Sequence, residues 1–154
     1  MDTPDNLLNG TLDLPYPAAV KQVAGLVNGV KTDVMVMKFA DKIMVAISQE
    51  GRLAHWLHVP MENQNPGTEG AHTFSEGGDN SLLPLSSLTA TSLLGGYAFG
   101  QDTVGQLLAR QIANSIAINL PTEKRLLVVG LGLRPIGADR DAFFAINDLV
   151  LQCI

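Results

Sequence analysis

The sequence predicts an α+β domain built from six short strands and two helices. Three observations carry that prediction. Asn28-Gly29 sits between two runs rich in β-branched residues, the strongest short-range hairpin signal. Two stretches, from Asp102 or Thr103 to about Asn119 and from Asp139 onward, repeat apolar residues at helical spacing. Polar turn clusters cut most of the remaining chain into pieces of strand length.

Residues 1–18 contain three prolines, two asparagines and three aspartates with no sustained period, and read as a loosely ordered lead-in to a single domain over 19–154. The first strand begins near Val20 and runs through Val23, Leu26 and Val27 to the Asn28-Gly29 turn. VKTDVMVMKF forms the second strand, IMVAIS the third after Ala40-Asp41-Lys42, and RLAHWLHVP the fourth after Gln49-Glu50-Gly51. Tight polar turns between these four predict an antiparallel meander, because parallel strands need long crossovers. Residues 61–80 are rich in Gly, Asn and Glu and longer than ordinary connections, so they form a functional loop. A fifth strand lies between Leu88 and Leu94, followed by the glycine-rich turn GGYAFG. Val104, Leu108, Ile112 and Ile116 stripe the first helix, which ends before Pro121. RLLVVGLGL is the sixth strand, and Asp139 caps a second helix striped by Phe143, Ile146, Val150 and Cys153.

With 154 residues, 46% of them apolar, the chain can bury about 68 to 70% of its unfolded surface without metals or cross-links. A formal net charge of -5 with ten Lys plus Arg disfavours nucleic acid and anionic membrane as partners. The single cysteine, Cys153, excludes an internal disulfide and suits a reducing compartment. The acidic, Arg-free N-terminus fits no targeting signal, and no apolar run is long enough to span a bilayer, so a cytoplasmic or nuclear protein is expected.

The second strand is apolar on both faces. Val34 and Val36 lie on one, Met35, Met37 and Phe39 on the other. A two-residue turn at Asp41 carries the division into the next strand, with Met44 and Ala46 joining the methionines and Ile43, Val45 and Ile47 joining the valines. Two helices can cover one face of six strands. The other face must fold on itself as a sandwich or meet a second protein, and the Met-rich face, Met35, Met37, Phe39 and Met44, is the expected dimer face because methionine adapts to a surface met after folding. Ordinary core packing is the alternative.

Motifs that would carry chemistry do not survive inspection. VVGLGL resembles a dinucleotide-binding turn, but Pro135 stands where the third glycine belongs and keeps the segment extended. Gly130 and Gly132 are therefore expected where a backbone or a bulky side chain packs closely on the strand. His55 and His58 fall on opposite faces of a strand and cannot share a metal, and His72 lies in the loop. GGYAFGQD lacks the P-loop lysine, and Asp102 would repel an anion. No nucleophile elbow or activated cysteine exists, so no enzyme activity, cofactor, metal or small-molecule substrate is expected. The surviving signal is the loop itself, where Glu62, Glu69, Glu76 and Asp79 stand without a Lys or Arg. Such a loop can steer a basic partner surface or keep the protein in solution.

The run KQVAGLVNGVKTDVMVMKFADKIMVAISQEGRLAHWLHV, then SLLGGYAFGQD entering a helix, RLLVVGLGL and a terminal helix resemble the proteasome assembly chaperone 3 family over roughly residues 21–153. The likeness rests on element order, turn positions and apolar register. This chain departs from it in its lead-in and in a longer, more glycine-rich acidic loop. The resemblance implies a six-stranded antiparallel sheet with two helices, dimerising sheet on sheet, either with itself or with a related small chaperone. It further implies a non-catalytic dimer that binds alpha-type subunits of the 20S proteasome, notably the fifth, and promotes alpha-ring formation. Family members use the loop after the fourth strand for partner contact, which corresponds to residues 61–80. A longin-like or roadblock-like dimeric scaffold is the alternative, sharing size, dimerisation and the lack of catalytic residues.

Overall fold

The structure, a computed structural model, describes residues 18–62, 88–96, 100–135 and 139–154. Apart from Ala18, the lead-in lies outside these residues. Six strands form one sheet: β1 (Ala19–Val27), β2 (Val30–Lys38), β3 (Lys42–Gln49), β4 (His55–Val59), β5 (Thr91–Leu94) and β6 (Leu126–Gly132). Two helices complete the fold, α1 (Gln101–Asn119) between β5 and β6, and α2 (Arg140–Leu151) after β6.

Asn28 and Gly29 both take left-handed backbone, φ 51° and 75°, which closes the β1–β2 hairpin in two residues and sets Val27 opposite Val30. The β2–β3 pair continues antiparallel, with Val36 opposite Val45 and Met37 opposite Met44. The expected meander ends there. Strand order is β1-β2-β3-β6-β4-β5, so β6 lies between β3 and β4, parallel to β3 and antiparallel to β4. The sheet is thus mixed, though mostly antiparallel. The Glu50-Gly51 turn does reverse the chain, but residues 52–54 then cross over the end of β6 before β4 starts. Gly132 permits that crossing, since any Cβ there would fall on the Arg52 carbonyl. Gly130 answers to the second expectation for this segment. A Cβ on it would lie 2.7 Å from the indole ring of Trp56, which rests on the bare strand.

Both helices lie on the Ile/Val face. α1 packs over β4, β5 and β6, and α2 over β1 and β2. Val34, Val36, Ile43, Val45, Ile47, Leu57, Leu127 and Val129 meet Leu108, Ile112, Ile116, Ile146 and Val150 in one continuous core. Asp139 caps α2 as the sequence predicts, its Oδ1 accepting from the amides of Asp141 and Ala142, both at 3.1 Å. Its Oδ2 accepts from Asn28 Nδ2 at 2.6 Å, tying the hairpin turn to the start of the helix.

Two polar ties fasten the ends of β6. At its start, the Arg125 guanidinium holds the Glu123 carboxylate through two contacts of 2.8 Å and donates to the Phe39 carbonyl at 2.7 Å, joining the β2–β3 turn to the incoming strand. At its end, buried Gln49 donates to Thr32 Oγ1 at 2.9 Å and accepts from the Arg134 amide at 2.8 Å.

Two expected outcomes follow from these contacts. Gly130→Val should cost about 1–3 kcal/mol by forcing Trp56 off its seat, and Gly132→Ala should cost more because a backbone must move; unchanged melting temperatures in both variants would contradict the packing. Arg125 holds the Glu123 carboxyl down to about 2 from its ordinary 4.5. The folded state therefore favours the carboxylate, and that stabilisation is complete above about pH 4.5 and lost as pH falls towards about 2. Glu123→Gln should cost roughly 1–2 kcal/mol at pH 7, allowing for solvent screening, and nothing near pH 2. Urea titrations of both proteins across that range check it, and a difference that persists at pH 2 would refute it.

Candidate functional site

The register places two rows of residues across all six strands on the face opposite the helices. One row runs Val20, Met37, Met44, Val128, His58 and Thr91. The next runs Gln22, Met35, Ala46, Gly130, Trp56 and Leu94. The helices leave this face uncovered. Met35, Met37, Met44, Val128 and Trp56 are half-buried by their neighbours in the sheet, and Leu94 is 62% exposed. Phe39, half-buried just past the end of β2, borders the same side.

Among the described residues, charge on this face is confined to its ends. Lys31 and Asp33, 3.6 Å apart, stand at the hairpin end of β2, and Lys42 and Asp41, also 3.6 Å apart, mark the opposite end beside Leu126. An apolar centre of thioethers and one indole, rimmed by solvated ion pairs, has the anatomy of a protein-binding surface. The sequence reading brought Met35, Met37 and Met44 together correctly. It missed Trp56, His58 and Val128 as members of the face, because their inclusion depends on β6 lying beside β3. A lone tryptophan on a strand and a glycine inside an apolar run were the available signals.

Of the acidic loop residues, Glu62 is exposed just after β4, while Glu69, Glu76 and Asp79 lie outside the described residues, as does His72.

A second cluster forms on the helix side. His55 is buried between two glycines, since a Cβ on Gly96 would lie 2.5 Å from its Nε2 and one on Gly105 2.5 Å from its Cε1. Its Nε2 contacts Ser92 Oγ at 2.8 Å and stands 3.5 Å from Asp102 Oδ1, and the Ser92 hydroxyl donates to Asp102. Burial pushes the imidazole below its ordinary value, and the Asp102 carboxylate only partly opposes this. Although Ser, His and Asp meet here, hydroxyl and carboxylate share one ring nitrogen. A base relay needs them on opposite nitrogens, with the serine proton aimed at the ring. Here that proton goes to the carboxylate, and the cluster fastens β4 and β5 to the start of α1. The α1 N-terminus, with Gly100 at its cap and Asp102 in its first turn, carries no basic side chain to hold an anion. His55 and His58 lie on opposite faces, as their spacing requires. Among the described residues, no group of three or more His, Cys, Asp or Glu side chains could hold a metal ion, and no helix is long and apolar enough to cross a membrane.

No family's sequence profile and no curated protein matches the chain. Comparison with solved structures gives a clear match to a chain of the crystal structure of a novel chaperone complex for yeast 20S proteasome assembly. The two share 13% sequence identity at a TM-score of 0.61, over 87% of this chain and 97% of the other. The chain therefore shares its fold with a chain of that chaperone complex.

Proposed function

We propose that this protein is a non-catalytic chaperone of 20S proteasome assembly, of the proteasome assembly chaperone 3 type. It acts as a dimer, with itself or with a related small chaperone, closed sheet on sheet through the face that carries Met35, Met37, Phe39 and Met44. The observation that carries the reading is that face, apolar at its centre and left bare by both helices, on a fold shared with a chain of the yeast chaperone complex. Stacking a second sheet on it places side chains between two layers about 10 Å apart, the spacing at which sheets pack. Trp56 and the methionines are suited to be the anchors of such a contact.

In this reading the dimer binds alpha-type subunits and promotes alpha-ring formation in the cytoplasm or nucleus. The acidic loop over 61–80 faces the alpha subunit, with Glu62, Glu69, Glu76 and Asp79 steering a basic surface. Charge of this kind acts mainly on encounter rate and specificity, which suits a chaperone that must later leave.

Affinity capture of the tagged protein from extract of its own cells tests the whole reading. Alpha subunits and a small related chaperone should co-purify with few beta subunits; membrane-trafficking complexes without proteasome subunits would assign the fold to a different dimeric scaffold. Met37→Asp should weaken the dimer by at least about 100-fold at micromolar concentration while leaving circular dichroism unchanged. Gross unfolding, or a dimer of undiminished affinity, would remove this face as the contact. Replacing Glu62, Glu69, Glu76 and Asp79 by Gln should slow association with an alpha subunit, most at low salt, and an unchanged on-rate would end the steering idea.

A further inference from the structure

We infer that β1 is a separate, self-complementary docking edge, on which a second copy of this chain adds its own β1 antiparallel about a two-fold axis at Val23. The inference rests on the edge geometry of β1 and not on the face-to-face dimer proposed above.

Among the described residues β1 is the terminal strand of the sheet and has a single neighbour, β2, to which it is paired over its full length of nine residues without a bulge. It contains no proline and one charge, Lys21. Long, straight edges of this kind are ordinarily blunted, because their unpaired backbone groups template another strand. The two-residue turn at Asn28-Gly29 makes Val27 and Val30 a hydrogen-bonded pair, and the pattern alternates from there. Residues 19, 21, 23, 25 and 27 thus bond to β2, while Val20, Gln22, Ala24 and Leu26 aim their N–H and C=O groups outward.

A second β1 must match those outward groups. Full overlap of Ala19–Val27 with its own copy sets residue 19 opposite 27, 20 opposite 26, 22 opposite 24, and 23 opposite 23. That register satisfies every outward group, since Val20 with Leu26 and Gln22 with Ala24 both become hydrogen-bonded pairs. It also pairs the two large exposed apolar side chains of the strand, Val20 at 41% and Leu26 at 73% exposure, with each other on the open side. Lys21 falls opposite Gly25, whose bare backbone is covered by Leu149, so the extended stem of the one charged side chain on this edge meets a leucine and not its own copy. Sliding the copies by four residues towards a Lys21–Lys21 pair loses the overlap and opposes like charges. The result is an isologous contact that closes on itself and extends one sheet into the next. One strand pair buries less than a standard interface, so the contact should populate at about 100 μM and above.

Cysteine trapping reads the register directly. In a Cys153→Ala background, Val23→Cys faces its own copy in a non-hydrogen-bonded pair, where Cα atoms approach to about 4.5 Å, within disulfide reach. Val20→Cys faces Leu26 of the other copy, about 20 Å along the strand from its own counterpart, beyond disulfide reach. Mild oxidation of the concentrated full chain should therefore give covalent dimers from Val23→Cys, few from Val20→Cys, and dimers again from Val20→Cys combined with Leu26→Cys. Adding Ala24→Pro, which removes an outward N–H and leaves the β1–β2 bonds in place, should suppress the Val23→Cys product at least fivefold. Val23 lies on the helix side of the sheet, opposite Val34, so a dimer closed through the Met-rich face would not produce the Val23 cross-link. No cross-linking from Val23→Cys, or a Val23→Cys product that Ala24→Pro leaves undiminished, would overturn the proposal; Val20 lies on the Met-rich face, so its cross-linking also reports a dimer closed through that face. A Val23→Cys chain that stays monomeric alone but cross-links to other chains in cell extract would also overturn it, and would assign the edge to a different extended segment.

Discussion

The sheet depends on β6. Without that strand the β1-β2-β3 ladder and the β4-β5 ladder share no backbone hydrogen bond, and β6 joins them by pairing parallel to one and antiparallel to the other. Its own sequence fits the position. Leu127, Val129 and Leu131 fill the core beneath the helices, while Val128 and the two glycines keep the opposite side low enough for Trp56 and for the chain at Arg52 to cross. Arg125 and Gln49 then hold the two ends in register with β2 and β3.

From that central strand the division of the molecule follows. One face carries branched aliphatic side chains that interlock with α1 and α2, and dispersion and burial are concentrated there. The other carries flexible thioethers and an indole that neither helix covers. A protein with this asymmetry can hold a fixed core while keeping a second apolar surface adaptable.

Much of this was legible in the sequence because it is local. The Asn28-Gly29 hairpin, the Asp41 turn, the two strand faces, the Asp139 cap and the span of α1 each depend on residues within one or two turns of each other. The close approach at Gly130 and Gly132 was legible too, as a need without a partner. What was hidden is non-local. Nothing near Glu50-Gly51 reveals that a strand about 75 residues later will enter between β3 and β4, so the meander looked continuous and Trp56 and His58 were left off the Met-rich face. His55 is a buried, hydrogen-bonded histidine, and its two-glycine slot required knowing that Gly96 and Gly105 converge on it.

The late arrival of β6 has a consequence for synthesis on the ribosome. The β1-β2-β3 ladder is complete once residue 49 has emerged, yet its third strand has no outer neighbour until residue 132, and α2 comes later still. Over that interval the nascent sheet shows water both its aliphatic face and its methionine face, with two open edges. Lys21, Lys31, Asp33, Lys38, Asp41 and Lys42 are distributed along those early strands and their turns, the positions at which charge opposes association of a half-built sheet.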